Sequence, residues 1–255
     1  MRLSQINKLL LLSISLALAA CNGGGGGGKS SNDDDTATSQ SLTGGGIKGP
    51  LVNAVVTVYA VDPAAADFKG EVVGTPGSTN AQAQIENLSL PFPLSPPYIL
   101  EFTSDENTTD ILTGQFPVIS EMRTVLTEEL LESGDQIYAT PLTTMAVDLA
   151  IKNADNDGSV NAAWALSERE LDPDGDDIDD FSVSLGDSTA TTDELLTALP
   201  IAAAQVKSTM GFGMAEDIDI FDTPPLIDNT TDNEDKQEQA ASYRAAVEAV
   251  TAVVN

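Results

Sequence analysis

The chain has 255 residues, of which 40 are Asp or Glu, 11 are Lys or Arg and none is His, giving a formal net charge of −29. Nucleic-acid binding depends on Lys and Arg that neutralise phosphate, so this charge excludes a nucleic-acid-binding protein. Without histidine, the Ser-His-Asp triad, the Cys-His pair and the HExxH zinc site are excluded as well. Some carboxylate pair arises by chance among so many acids, and we therefore expect no catalytic residues, no cofactor-binding residues and no enzymatic activity.

The first twenty residues have the pattern of a secretory signal peptide. Arg2 and Lys8 give a basic start, and Leu9–Leu18 is an apolar run. With about ten residues, this run is too short for a membrane-spanning helix. It ends in Leu-Ala-Ala-Cys21, which resembles the lipobox of bacterial lipoproteins. That resemblance implies cleavage before Cys21 and acylation of this cysteine, with palmitate among the acyl chains. A plain secretory peptide with an incidental cysteine is the alternative.

The lipobox also predicts where the protein is located. In lipoproteins of Gram-negative bacteria, Asp after the cysteine favours retention in the inner membrane, whereas this chain has Asn22. The resemblance therefore implies an outer-membrane lipoprotein that faces the periplasm or the cell surface. Since the net charge repels anionic headgroups, we expect the folded body to stand away from the bilayer.

Residues 21–46 are rich in Gly, Ser and Asp and are predicted to form a disordered tether. Gly23–Gly28 and Gly44–Gly46 enclose a polar stretch that has too few apolar residues to form a core. A phosphate-binding loop is excluded, because no predicted strand precedes these glycines and no predicted helix follows them.

Residues 47–139 show the short apolar alternation and the frequent turns of a β-sandwich. In the first predicted strand, Val52, Ala54, Val56 and Val58 alternate with a mixed set of residues. Glu128–Asp135 ends in Ser-Gly-Asp, which favours a turn, and a helix over Ile119–Glu132 is the alternative. Further strands are predicted at Gly70–Gly74, Gln82–Leu88, Tyr98–Thr103, Met122–Thr127 and Gln136–Ala139.

Three segments of this stretch carry a family resemblance. Residues 49–58 read Gly-Pro-Leu-Val-Asn-Ala-Val-Val-Thr-Val, residues 79–88 read Thr-Asn-Ala-Gln-Ala-Gln-Ile-Glu-Asn-Leu, and residues 97–102 read Pro-Tyr-Ile-Leu-Glu-Phe. They resemble the carboxypeptidase-regulatory-like (transthyretin-like) sandwich domains of secreted bacterial proteins, although Ala83 stands where that family usually has glycine. The resemblance covers roughly a quarter of the chain. It implies a non-catalytic scaffold or binding domain.

From residue 140 onward the pattern becomes helical, so we predict an α+β fold with an N-terminal β-sandwich and a mainly helical C-terminal region over 140–255. Thr140 is the predicted N-cap of the first helix, with Pro141 at its first position. A second helix is predicted at Thr192–Met210, opened by Asp193 and disturbed by Pro200.

A last helix is predicted from about Asn233 to the end of the chain. It carries an apolar stripe without a partner inside the helix, from which we expect either a truncated chain or a face that receives another domain. The aspartates of the segment Asp217–Asp222 are predicted to lie on the surface. The stripe consists of Tyr243, Val247, Val250 and Val254.

Two acidic stretches are candidate calcium sites, since carboxylate and amide oxygens are the ligands that Ca²⁺ prefers. The first resembles the start of an EF-hand loop, but Trp164 stands where the closing Glu belongs. The second resembles the Asp-rich loops of thrombospondin-type and dockerin-like repeats. A solvated acidic loop is the alternative for both. The candidate ligands are Asn153, Asp155, Asp157 and Ser159 in the first, and Asp172, Asp174, Asp176 and Asp179 in the second.

These observations predict a membrane-anchored extracytoplasmic lipoprotein that acts as a non-catalytic binding or scaffolding module at the cell envelope, with calcium as its candidate stabilising ion. Its partners would be the membrane, through lipid on Cys21, and an envelope protein or extracellular polymer that the sequence does not identify. The alternatives are an accessory protein that captures polysaccharide or peptide, and a hydrolase with two carboxylates about 5–10 Å apart.

Overall fold

A computed structural model describes residues 39–155, 190–227 and 231–254. Over these ranges the chain has an α+β fold, with twelve strands that precede or interleave with four helices. The helices are α1 Glu128–Ser133, α2 Pro141–Asp155, α3 Thr192–Met210 and α4 Glu234–Val254. The strands are β1 Ser39–Ser41, β2 Gly44–Gly46, β3 Leu51–Val52, β4 Val55–Val61, β5 Lys69–Val72, β6 Gly77–Thr79, β7 Ile85–Glu86, β8 Ser89–Pro91, β9 Tyr98–Thr103, β10 Thr109–Asp110, β11 Glu121–Leu126 and β12 Ile137–Ala139.

An antiparallel sheet in the order β11-β9-β4-β6-β7, with β5 also paired to β4, forms the centre of the fold. The predicted alternation of the first strand is confirmed, because Val56 and Val58 are fully buried while Val55 is exposed. The strand is nevertheless divided into β3 and β4 at Asn53, whose φ is +59°. Asn tolerates this left-handed conformation better than most residues.

The remaining predicted strands agree with the structure to different degrees. Tyr98–Thr103 coincides with β9, and Met122–Thr127 differs from β11 by one residue at each end. The prediction at Gln82–Leu88 is wrong in extent, since only Ile85–Glu86 is a strand. Ala83 and Asn87 interrupt it with φ values of +59° and +61°, which break an extended backbone.

The glycines that close the predicted tether belong to the folded body, so the tether boundary at residue 46 is wrong. Gly44–Gly46 forms β2, which is buried and pairs in parallel with β12. A Cβ atom at Gly44 would lie 1.7 Å from the carbonyl oxygen of Ile137, and one at Gly45 would lie 2.4 Å from that of Ala83. Glycine is therefore required at these positions, because another backbone segment passes too close for a side chain. A glycine-rich composition alone does not distinguish this role from a flexible tether.

The segment that was predicted to be a turn after β11 contains helix α1. The Thr127 hydroxyl accepts a hydrogen bond from the Leu130 backbone N–H at 3.3 Å and caps the start of this helix. Gly134 ends it with a φ of +70°. The Ser-Gly-Asp signal therefore marks the end of a short helix, because a left-handed glycine serves equally well in a turn and at a helix C-terminus.

The two faces of the sheet pack against different layers. One face, with Val56, Leu100 and Phe102, packs against residues of the short strand pairs and of α1, such as Leu90 and Ile137. The other face, with Ile99 and Val125, packs against α2 and α3. The sheet thus lies between a layer of short strands and a layer of helices.

Local sequence signals place the helices well. Thr140 caps α2 as predicted, since its hydroxyl accepts a hydrogen bond from the Thr143 backbone N–H at 3.1 Å. α3 coincides with the predicted Thr192–Met210, but its N-cap is Thr191 rather than Asp193, and Glu194 completes a capping box with it. The capping box provides hydrogen-bond acceptors for two backbone N–H groups at the start of the helix. Asp193 lies inside the first turn and is not part of this box.

The apolar stripe of α4 has a partner within the chain, which corrects the prediction of an unpartnered face. Tyr243 and Val247 are fully buried and Val250 is nearly so. They pack in one apolar cluster with Leu142 of α2 and Val206 of α3. The helical region therefore has its own core against α2 and α3, in which Tyr243, Val247 and Val250 of the stripe take part.

An ion pair is buried near the start of β3. Lys48 Nζ donates to Asp110 Oδ2 at 2.8 Å, and the two side chains are only 7% and 1% exposed. Asp110 Oδ1 in turn accepts the Leu112 backbone N–H at 2.8 Å. The pair joins the first strands to the loop that follows β10, and neither charge can be removed without leaving the other buried.

We predict that Lys48→Met lowers the free energy of unfolding by about 3–5 kcal/mol, because it leaves the Asp110 carboxylate buried and uncompensated. Urea unfolding followed by circular dichroism measures this loss. Lys236→Met is the matched control, since it removes a lysine from a pair with Asp232 whose side chains are 53% and 67% exposed. An equal loss in the two variants would contradict the assigned role of burial.

Candidate functional site

A cleft of about 690 Å³ lies between α1, α3 and the segment after α3. This is within the range of typical ligand-binding clefts. We call it the acidic groove. Its lining includes apolar residues, namely Leu130, Leu196, Leu199, Ala203, Ile218, Ile220 and Phe221, and six acids, namely Glu129, Asp135, Glu216, Asp217, Asp219 and Asp222.

Alternation within one short segment supplies both the apolar and the acidic part of the groove. Ile218 and Ile220 are buried, whereas Asp217, Asp219 and Asp222 are exposed, as predicted for these aspartates. The segment is a series of turns in which the two isoleucines pack in the helical core while the carboxylates face solvent. The groove therefore combines an apolar interior with a negative edge.

The single lysine in the lining is already used to hold this segment. Lys207 Nζ of α3 donates to the backbone carbonyls of Glu216 at 2.7 Å and of Ile218 at 2.6 Å. Among the residues that the structure describes, none of the six carboxylates takes part in an ion pair. Lys207 is therefore the one cation of the lining against six carboxylates, and it pairs with none of them.

Asp222 is the member of the groove whose proton affinity is altered most clearly. Although Asp222 is an exposed residue, partial desolvation of its carboxyl raises the pKa above the usual value, and the nearby charges of Asp219, Asp135 and Glu129 raise this pKa further. Both effects disfavour the ionised form. A cation placed beside this carboxyl would favour its ionised form and so lower the pKa again.

A chain of hydrogen bonds fixes the segment that lines the groove. The Tyr243 hydroxyl donates to the backbone carbonyl of Ile220 at 2.8 Å and lies 2.9 Å from the hydroxyl of Thr140. Since a phenol has one proton to donate, Thr140 is the donor in the second bond. Burial raises the pKa of Tyr243 well above its ordinary value, so this hydroxyl stays protonated.

A second cleft, of about 550 Å³, lies beside Phe68 and α2 and is less suited to a charged ligand. Its Arg123 is paired with Glu121 and, at 3.3 Å, with Asp148. Nearby on the same sheet, Lys69 is paired with Glu101 at 2.8 Å. Charges in this area are balanced by their neighbours, and we interpret them as part of the packing between sheet and helices.

The structure brings together only a small part of the predicted calcium sites. Asn153 and Asp155 lie in the last turn of α2. The other candidate ligands lie outside the described residues, as does Cys21; they are Asp157, Ser159, Asp172, Asp174, Asp176 and Asp179. Within the described ranges, no three acids or other metal-binding side chains form a group able to hold a metal ion. The calcium sites stay predictions.

The groove itself was not predicted from the sequence. The aspartates after α3 were recognised as surface residues, but Glu129 and Asp135 come from α1 and the residue range just after it, about ninety positions earlier. A usable signal was the alternation of Asp and Ile at 217–220, which indicates one buried and one exposed edge. Which acids meet there depends on how α1 packs near α3.

We predict that Asp222→Asn stabilises the fold at pH 7 and has no effect near pH 3. Because the native pKa of Asp222 is raised, the native state binds this proton more tightly than the unfolded state does. The resulting penalty appears as pH rises above the ordinary value of 3.8 and is complete above the native pKa. Thermal unfolding from pH 3 to pH 7 measures it.

Asp105→Asn provides a control of opposite sign. The Asn107 backbone N–H lowers the pKa of the Asp105 carboxyl, so that carboxylate adds stability that is present above the ordinary pKa and is lost as pH falls through the native pKa. Its removal should therefore destabilise the protein at pH 7. If both variants shift the unfolding temperature in the same direction, the assignment for Asp222 is wrong.

Comparison with known proteins adds no family to these observations. No protein family, curated protein or solved structure matches this chain. None of the helices in the described ranges is both long enough and apolar enough to cross a membrane.

Proposed function

We propose that this chain is a lipid-anchored, non-catalytic binding module of the cell envelope, located at the outer membrane, and that the acidic groove is its binding site. The observation that carries the proposal is the groove's combination of an apolar lining with six carboxylates that have no ion-pair partner among the described residues. We further propose that the β-rich part is a transthyretin-like sandwich, supported by the likeness of residues 49–58, 79–88 and 97–102 to that family.

The anchor is proposed from the N-terminal sequence. Leu-Ala-Ala-Cys21 after a basic start and a short apolar run supports cleavage before Cys21 and acylation of its thiol. Several acyl chains would hold the protein durably, since a single chain of myristoyl length binds only marginally. Calcium bound by the acidic stretches around residues 153–159 and 172–179 is part of the same proposal, as a stabilising ion.

We predict that the native product begins at Cys21 and carries acyl chains on this residue. Intact-mass measurement and peptide sequencing of protein isolated from membranes should show the acylated cysteine, and Cys21→Ser should release the protein from the membrane fraction. An unmodified thiol, or a leader still attached in the native product, would refute the anchor while leaving the groove proposal open.

The groove favours a ligand with an apolar body and at least one positive charge. Apolar side chains such as Leu199 and Ile220 can cover the ligand's hydrocarbon surface, and the carboxylates attract its cation. A volume of about 690 Å³ suits a few side chains of a peptide, which makes a basic segment of an envelope protein the partner that this site fits. Absence of histidine and of a reactive cysteine supports binding without catalysis.

We predict that the tetrapeptide Leu-Lys-Leu-Lys binds the mature lipoprotein in zwitterionic nanodiscs, as measured by calorimetry at low salt against empty nanodiscs. The peptides Leu-Glu-Leu-Glu and Ser-Lys-Ser-Lys should bind at least about tenfold more weakly, because each lacks one of the two interactions. Raising the salt concentration to 1 M should weaken binding further, since it screens the exposed carboxylates.

A pair of double variants separates the groove from the net charge. Asp219→Asn with Asp222→Asn should weaken binding of Leu-Lys-Leu-Lys about fivefold or more. Glu71→Gln with Glu238→Gln removes two exposed acids outside the groove lining and should leave binding within about twofold. Equal loss in both double variants would show attraction by overall charge only, and absence of binding would refute the proposed ligand chemistry.

A further inference from the structure

One exposed loop is apolar in a chain that is otherwise strongly acidic. Ile111, Leu112, Phe116 and Val118 are 47%, 63%, 54% and 46% exposed, and residues 111–120 contain no charged side chain. Several exposed large apolar side chains within one loop are candidates for an interaction site. We call residues 111–118 the apolar loop.

The apolar loop is held in shape by the buried ion pair. Asp110, fixed by Lys48, accepts the Leu112 backbone N–H on its carboxylate and the Gly114 backbone N–H on its carbonyl, both at 2.8 Å. Its own backbone N–H donates to the carbonyl of Gln115 at 2.9 Å. Gly114 takes the left-handed conformation at the turn, with a φ of +66°.

This arrangement satisfies much of the loop's backbone internally. Ile111 also donates its backbone N–H to the Pro50 carbonyl at 3.1 Å, and Pro117, which has no N–H, is buried. A segment that enters a medium poor in water must satisfy its polar backbone groups in this way. The apolar side chains are thus presented on a frame that needs little water.

We propose that the apolar loop enters the interfacial layer of the bilayer to which the chain is anchored, and that it forms a second membrane contact besides the lipid on Cys21. The inference rests on the proposed anchorage, because the anchor is the reason for naming a bilayer as the partner of the loop. Even fully extended, the chain between Cys21 and Ser39 spans at most about 60 Å, so an acylated Cys21 keeps the loop close to the membrane at a high effective concentration.

The size of the patch favours a bilayer over a protein partner. Four large side chains that are each about half exposed present on the order of 100 Å² apiece. Their sum is about half of the roughly 800 Å² per partner that a stable protein interface buries. A small uncharged loop is sufficient for interfacial insertion of an already anchored protein, because insertion adds to an existing attachment. The loop thereby modifies the expectation that the whole acidic body stands away from the membrane.

Depth-dependent fluorescence quenching tests the proposal on the mature lipoprotein in phosphatidylcholine vesicles. Phe116→Trp and Phe212→Trp are made separately in a Trp164→Phe background, so that one indole reports in each. Phe212 is the matched control, since it is 57% exposed but lies after α3. Brominated phosphatidylcholine should quench at least about half of the emission of the Phe116→Trp chain and leave that of the Phe212→Trp chain nearly unchanged.

Adding Leu112→Asp to the Phe116→Trp chain should reduce quenching to the level of the control. If circular dichroism shows that this variant has lost its fold, Val118→Asp replaces it. Equal quenching at both positions in folded, acylated protein would overturn the proposal. A blue-shifted emission from the indole at position 116 without bromine quenching would overturn it as well, because the loop would then be covered by a second copy or by another segment of the chain.

The same preparation separates failure of the loop from failure of the anchor. Intact mass shows whether Cys21 is acylated, independently of the fluorescence. Should the thiol be free, vesicles added to the soluble Phe116→Trp chain still report whether its indole contacts lipid. Quenching there would support the loop and refute only the anchor, whereas acylated protein without quenching would refute only the loop.

Discussion

Three polar groups at the junction of sheet and helices determine how the rest of the chain is arranged. The Thr140 hydroxyl caps α2, contacts the Tyr243 hydroxyl of α4, and through it reaches the backbone carbonyl of Ile220. All three lie in buried surroundings, where an unpaired polar group would cost about 1–3 kcal/mol. These hydrogen bonds therefore link the positions of three elements, namely the start of α2, helix α4 and the segment that lines the groove. The apolar side chains of these elements pack in the arrangement that the hydrogen bonds require.

The groove gathers like charges at a cost in stability, which is the property on which its proposed binding role rests. Ile218 and Ile220 are buried, and Lys207 bonds the backbone of this segment. The neighbouring aspartates therefore line the groove together with Asp135 and Glu129, which come from an earlier part of the chain. Like charges this close repel one another, as the raised pKa of Asp222 reflects. In the second cleft, by contrast, each carboxylate has a cation beside it. Six carboxylates without an ion-pair partner among the described residues, over an apolar surface, are the property that sets the groove apart.

Burial of one ion pair has a consequence for the surface. Lys48 and Asp110 add little net stability as a pair, because desolvation offsets their attraction. Their position nevertheless gives the following loop a fixed frame, which presents Leu112 and Phe116 to the exterior while much of the loop backbone is hydrogen-bonded internally. The acidic groove and the apolar loop are thus two surfaces of opposite character, and our proposals assign the first to a soluble partner and the second to the membrane.

By itself the sequence determined what depends on neighbours in the chain: the alternation of Val56 and Val58, the strand Tyr98–Thr103, the Thr140 cap and the extent of α3. Hydrogen bonds and side-chain periodicity over a few residues decide these features, so local pattern is sufficient. Only the tertiary structure decided that Gly44–Gly46 is a buried strand, that α4 has a partner in α2, and that Asp110 meets Lys48. Those contacts join residues 62 to 103 positions apart, as for Lys48–Asp110 and Thr140–Tyr243, and close approach of distant segments leaves no periodic trace in the sequence.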